Sequence, residues 1–206
     1  MRLDSILLLG PTGSGKTPLG ELLQERGAVG HRCHHFDFGQ QLRGLAESRA
    51  APAGFTAAQL EYVREVLAAG RLLEDRDFHI AERLLRGFLA ARGAEVGDLV
   101  VLNGLPRHCG QARSLERVLD VRWVLCLECT AETVAGRIAA NSGGDRSGRR
   151  DDRADAVACR IALFRERTAP LVEHYRTRGA KVGVWRVGLG SPAGEALPVI
   201  EELLGC

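Results

Sequence analysis

Four fixed positions in Gly10-Pro11-Thr12-Gly13-Ser14-Gly15-Lys16-Thr17 fit G-x-x-x-x-G-K-[ST], a combination that cradles polyphosphate. Gly10, Gly13 and Gly15, with Ser14 between them, allow backbone conformations in which successive N–H groups point at one anion. Lys16 supplies a mobile charge for the outer phosphates, and the Thr17 hydroxyl can ligate Mg²⁺. The chain carries 28 Lys plus Arg, yet Lys occurs only at Lys16 and Lys181. In a sequence that otherwise writes positive charge as Arg, Lys16 stands where a phosphate loop asks for Lys.

The arginines suggest a second anion. Arg43 falls on a predicted helix, Arg107 just past an apolar run, and Arg149 beside a polar, glycine-rich stretch. Arg153, Arg160 and Arg167 are spaced by seven and share roughly one helix face. Arginines aimed at one cleft suit a substrate that is itself a phosphate and a transition state with charge on several oxygens. Arg153 and Arg167 read as solvated surface residues.

The elements that must position these groups alternate. Residues 3–9 read as a strand, and Leu19, Leu22 and Leu23 mark the helix behind the loop. Residues 34–36 are a short strand. Asp37 with Gln40, and Thr56 with Gln59, are helix-start signals. Apolar spacing predicts helices up to Gly70 and from Phe78 to just before Gly93. Residues 99–102 and 121–127 are buried strands, 111–119 a helix, and Thr130 caps another. A helix from about 152 is broken near Pro170; 181–187 is a last strand and the C-terminal leucines a last helix. The pattern predicts an α/β three-layer fold on a central five-stranded parallel sheet, with ligands at the carboxyl ends of the strands. Core segments 1–36 and 96–206 flank a helical insert at about 37–95, and 141–152 is a loop.

At 206 residues, 45% hydrophobic and 26% charged, the chain is expected to be one soluble domain. A net charge of +2 gives no basis for a nucleic-acid partner, and apolar runs are too short for a membrane span. Without a signal-peptide pattern the expected compartment is the cytoplasm, with the six cysteines reduced. Cys126 and Cys129 form a single C-x-x-C, read as structural; His31, Cys33, His34 and His35 crowd one strand entry and lack a distant ligand.

The chain resembles the adenylate kinases and related nucleoside monophosphate kinases over nearly its whole length. Asn103-Gly104-Leu105-Pro106-Arg107 with Gln111 is similar to D-G-[FY]-P-R-x-x-x-Q. Phe38-Gly39-Gln40-Gln41-Leu42-Arg43 resembles T-G-D-[LM]-[LF]-R, Gly70-Arg71-Leu72-Leu73 resembles G-x-L-V, and Ser147-Gly148-Arg149-Arg150-Asp151-Asp152 resembles the S-G-R-x-D-D of short-lid members. The resemblance implies ATP and a nucleoside monophosphate as partners, Mg²⁺ as cofactor without zinc, and a monomer. It implies that Arg43, Arg107, Gly39 and Leu72 line the acceptor site and that Gln111 bonds the acceptor base, adenine being favoured. Arg137 would stack on the donor adenine, Arg149 and Arg160 would close over the transferring group, and 141–152 would be the lid.

Two positions depart from the pattern. The motif's Asp is Asn103, which offers an oxygen but no charge, so the metal is expected to rest on Thr17, water and the nucleotide, with Asn103 a weak contact through water. The motif's Thr is Phe38, which leaves the acceptor base open; a family lid arginine aligns with Asn141. The expected activity is transfer of the γ-phosphoryl group of MgATP to a nucleoside monophosphate. The alternatives are a nucleotide-binding sensor on the same fold, favoured by Asn103, and a P-loop kinase for a small metabolite, which leaves Gln111 and the lid motif unexplained.

Overall fold

Period-two alternation sorts the first strand, β1 (Leu3–Leu9), onto two cores: Ile6 and Leu8 are buried on one face, Leu7 and Leu9 on the other. The computed structural model describes residues 2–144 and 154–205. Around β1 lie β2 (Cys33–Asp37), β3 (Leu99–Asn103), β4 (Leu119–Glu128) and β5 (Lys181–Arg186), all parallel, in the order β2-β3-β1-β4-β5. β3 is buried along its whole length, as a strand covered on both faces must be.

One face carries α1 (Lys16–Arg26) and α9 (Leu197–Gly205), whose Leu19, Leu23, Ile200 and Leu203 close a core with Val101, Trp123 and Trp185. The other face carries α2 (Phe38–Glu47), α3 (Ala57–Ala68), α4 (Phe78–Arg92), α5 (Cys109–Leu115) and, further along, α8 (Leu171–Arg176). α6 (Ala131–Ala139) follows β4, and α7 (Ala154–Leu163) precedes α8. Among the described residues, 38–92 hold helices without a strand. α4 nevertheless packs onto the sheet, with Leu85 in the same core as Phe36 and the Phe88 ring edge-on to Phe36 at 5.3 Å.

Caps fix the ends of the helices that carry the site. Asp37 Oδ1 accepts from Gln40 N at 2.9 Å, and Thr56 and Gln59 form a reciprocal capping box. Two expectations are corrected. The helix predicted at 111–119 is α5, two residues earlier and four shorter at its end, because His108 accepts from the Gln111 backbone N–H and Leu119 is already paired with Leu3 in the sheet. The break near Pro170 begins upstream: Phe164–Thr168 is a π turn closed by Ala169 N–H donating to the Phe164 carbonyl at 2.8 Å. Among the described residues, no helix is long and apolar enough to cross a membrane.

Candidate active site

The phosphate loop joins β1 to α1. Gly13 and Gly15 have φ of 78° and 95°, and Gly15 is the α1 N-cap, so the loop uses the left-handed region that glycine adopts freely. Gly10 is small for a packing reason: a Cβ there would meet Ser14 Oγ at 2.6 Å and the Leu127 carbonyl at 2.9 Å. Lys16 Nζ donates to the Gly10 and Pro11 carbonyls at 2.7 Å each and reaches Ser14 Oγ at 3.4 Å.

Thr17 faces the neighbouring strand ends. Its hydroxyl donates to Asp37 Oδ2 at 2.8 Å, and Asn103 Nδ2 donates to the same Oδ2 at 2.9 Å and to Thr17 Oγ1 at 3.1 Å. Asp37 and Asn103 are register partners at the ends of β2 and β3. The expectation places the metal on Thr17, water and the nucleotide, and the structure sets the Asp37 carboxylate beside that threonine. A hydroxyl and a carboxylate together suit a hard cation such as Mg²⁺, which takes oxygen ligands and one or two carboxylates, so the residues present fit the ion. Behind them His35, its pKa lowered first by burial, sits 3.5 Å from Asn103 Nδ2. Its ring lies where a Gly20 Cβ would be, so α1 can approach β2 because residue 20 is glycine.

The second cluster is at the start of α2 and the end of β3. A Cβ on Gly39 would lie 3.2 Å from Arg43 Nη1 and 3.8 Å from Arg107 Nη2; the two guanidinium groups thus converge on a bare backbone. Arg107 is fixed by its Nε donating to the Gly104 carbonyl at 2.8 Å, by its Cζ lying 5.8 Å from the Phe38 ring centroid, and by Thr168 Oγ1 donating to its carbonyl at 2.8 Å. Phe38 therefore fills its position as a platform under a cation. Gln111 is fully buried: its Oε1 accepts from Arg107 N at 2.9 Å and its Nε2 donates to the Leu73 carbonyl at 2.7 Å. It is Leu73, rather than the half-buried Leu72, whose carbonyl meets Gln111.

Arg137 is buried against the far side of the phosphate loop. Its Nε donates to the Gly13 carbonyl at 3.3 Å and its Nη1 to the Gly188, Leu189 and Ser191 carbonyls at 2.9, 3.2 and 3.0 Å. Arg160 stands on α7, its Nε donating to the Ala156 carbonyl at 3.3 Å. Arg149 and Arg153, with most of the 141–152 loop, lie outside the described residues. Arg167, part-exposed at the surface, makes a two-point pair with Glu74 at 2.7 and 2.9 Å, which lowers the Glu74 pKa, joining the π turn to the segment before α4.

The cysteine and histidine cluster disperses. His34 pairs with Asp98 at 2.7 Å, and the half-buried His31 bonds the Gly97 carbonyl. Burial pushes the Cys33 and Cys126 thiols up to about 11 and raises Cys129. Among the described residues no group of three His, Cys, Asp or Glu side chains gathers as metal ligands would. Asp37, His108, Thr168 and the 188–191 carbonyls had no signal beyond a helix cap or a turn, because their roles depend on which strands and loops become neighbours.

A glycine loop with its lysine at the end of a central parallel strand, beside a paired-arginine subsite, defines a P-loop kinase fold. A family model described as an AAA domain matches residues 6–158. The chain is 32% identical over 207 residues to the adenylate kinase of Xanthomonas campestris pv. campestris, covering 97% of this chain and 98% of that one. It is 32% identical to the adenylate kinase of Thermus thermophilus, covering 92% and 91%, and 31% identical to that of Xylella fastidiosa, covering 98% and 99%. The chain belongs to the adenylate kinase family of phosphotransferases.

Proposed function

We propose that this chain is a cytoplasmic, monomeric nucleoside monophosphate kinase that moves the γ-phosphoryl group of MgATP to AMP. The observation that carries the reading is the convergence of Arg43 and Arg107 on Gly39, at the end of the helix-start that begins with Asp37, the partner of Thr17. One nucleotide's phosphates on the loop and a second phosphate between the arginines would face each other across the strand ends. The names of the relatives favour adenine at the acceptor, and Gln111 keeps one amide N–H and one oxygen lone pair beyond its two bonds to the backbone.

Transfer would be direct and in line, with positioning and charge stabilisation as the catalytic contributions. Lys16 would leave its loop carbonyls for the transferring phosphate. Arg107 and Arg43 would hold the acceptor phosphate in two-point contacts. Gly10, Gly13, Ser14 and Gly15 would line the donor phosphates, Arg137 the donor base, and Arg149 and Arg160 the charge that develops. Mg²⁺, when bound, neutralises phosphate charge, and Thr17 would hold it, with Asn103 beside. Segment 37–95 would act as the acceptor-binding insert and 141–152 as a lid that keeps water from the phosphoryl group. The five described cysteines are free, in keeping with a reducing compartment.

A coupled ADP-release assay with ATP against AMP, CMP, UMP and GMP tests the reading. AMP is expected to give the highest kcat/KM. ATP binding without transfer to any monophosphate would replace it with the sensor reading.

A further inference from the structure

The amide at position 103 leaves open which residue anchors the cation. We propose that Asp37, at the end of β2, is the metal-positioning carboxylate of this site, so that the charge lies one strand over from Asn103. The inference rests on the kinase reading only in taking the nucleotide's cation as Mg²⁺.

Asp37 has two separate tasks for its two oxygens. Oδ1 accepts from Gln40 N and caps α2. A cap needs no more than that, and Ser, Thr or Asn would serve as well. Oδ2 points the other way, into the phosphate loop, and receives Thr17 Oγ1–H at 2.8 Å and Asn103 Nδ2–H at 2.9 Å. A threonine that ligates a cation must direct its proton to an acceptor and present a lone pair to the ion; Oδ2 is that acceptor. A carboxylate beside the phosphate loop favours a cation between itself and a bound polyphosphate, and Asn103, which donates to it, adds no charge of its own. With Asp at 103 instead, two carboxylates would meet across one register pair. The structure thus has one acid and one amide at the two positions, with the acid on β2.

The test compares the wild-type chain, Asp37→Asn and the exchange Asp37→Asn/Asn103→Asp. Asn keeps the α2 cap, and circular dichroism checks the fold. Isothermal titration gives the ATP dissociation constant with saturating Mg²⁺ and with EDTA, and the ratio of the two is the readout. In Asp37→Asn the ratio is expected to fall by about tenfold or more, the usual cost of losing a group that orients a metal ligand. In the exchanged variant it is expected to recover. A purely capping role, which Asn preserves, would leave the ratio alone. A ratio unchanged in Asp37→Asn, or one that the exchange leaves equally low, overturns the proposal. Because the readout involves no phosphoryl transfer, an Asp37-dependent ratio in a chain that phosphorylates no monophosphate would uphold this inference while removing the kinase reading.

Discussion

Gln111 Nε2 donates to the Leu73 carbonyl at 2.7 Å, tying the helix after β3 to the segment that leads into α4. The same side chain accepts from Arg107 N, so a fully buried amide holds Arg107 by its backbone. Gln111→Ala strands the Arg107 N–H and is expected to cost about 1–3 kcal/mol of stability, the penalty for an unsatisfied buried donor. It should also raise KM for AMP while ATP binding holds. Urea denaturation with separate ATP and AMP titrations checks both parts; equal losses for the two nucleotides would remove Gln111 from the acceptor side.

Arg107→Lys is expected to raise KM for the acceptor by about tenfold or more. The guanidinium plane is set by Nε on the Gly104 carbonyl and by the Phe38 ring, and a lysine keeps the charge but loses the planar two-point contact. Steady-state kinetics with varied monophosphate decide it; an unchanged KM would count against the arginine pair as the acceptor clamp.

Lys16→Ala is expected to lower kcat/KM by at least about 10²-fold, as for the loss of one transition-state charge contact. Lys16 Nζ already bridges two loop carbonyls at 2.7 Å, so the variant should also relax the loop. Single-turnover measurement on protein with native circular dichroism tests the catalytic part, and near wild-type transfer would refute it.

Cys33 and Cys126, whose thiols are pushed up to about 11 by burial, should alkylate far more slowly at pH 8 than the exposed Cys159. Because the folded pKa lies above the ordinary thiol value of 9.0, the neutral thiol favours the fold. That contribution is whole below pH 9 and is lost as pH rises toward 11. Mass spectrometry after timed iodoacetamide exposure gives the order of labelling; rapid modification of Cys33 in the native chain would contradict its burial.

Much of this was legible in the sequence where the signal was local. β1 and α4 match their predicted spans, and the Thr56–Gln59 box and the left-handed glycines of the phosphate loop follow from residue type and spacing. What the sequence hid was adjacency. Asp37 reads along the chain as a helix cap, and becomes the partner of Thr17 only because β2 lies beside β3 and β3 beside β1. The resemblance assigns Gln111 to the acceptor base, and its two backbone partners appear only when α5 and Leu73 meet. α5 itself was misplaced because its cap is a histidine, a residue outside the usual capping set.

Arg137 joins the phosphate loop to the turn after β5 through carbonyls drawn from opposite ends of the chain. A guanidinium held on so many sides has little rotational freedom left to lose. The distance between the two loops is therefore fixed by the fold before any nucleotide arrives, and binding need not freeze it. The spacing of the two loops is thereby preorganised, and losing the guanidinium would loosen it without touching either backbone.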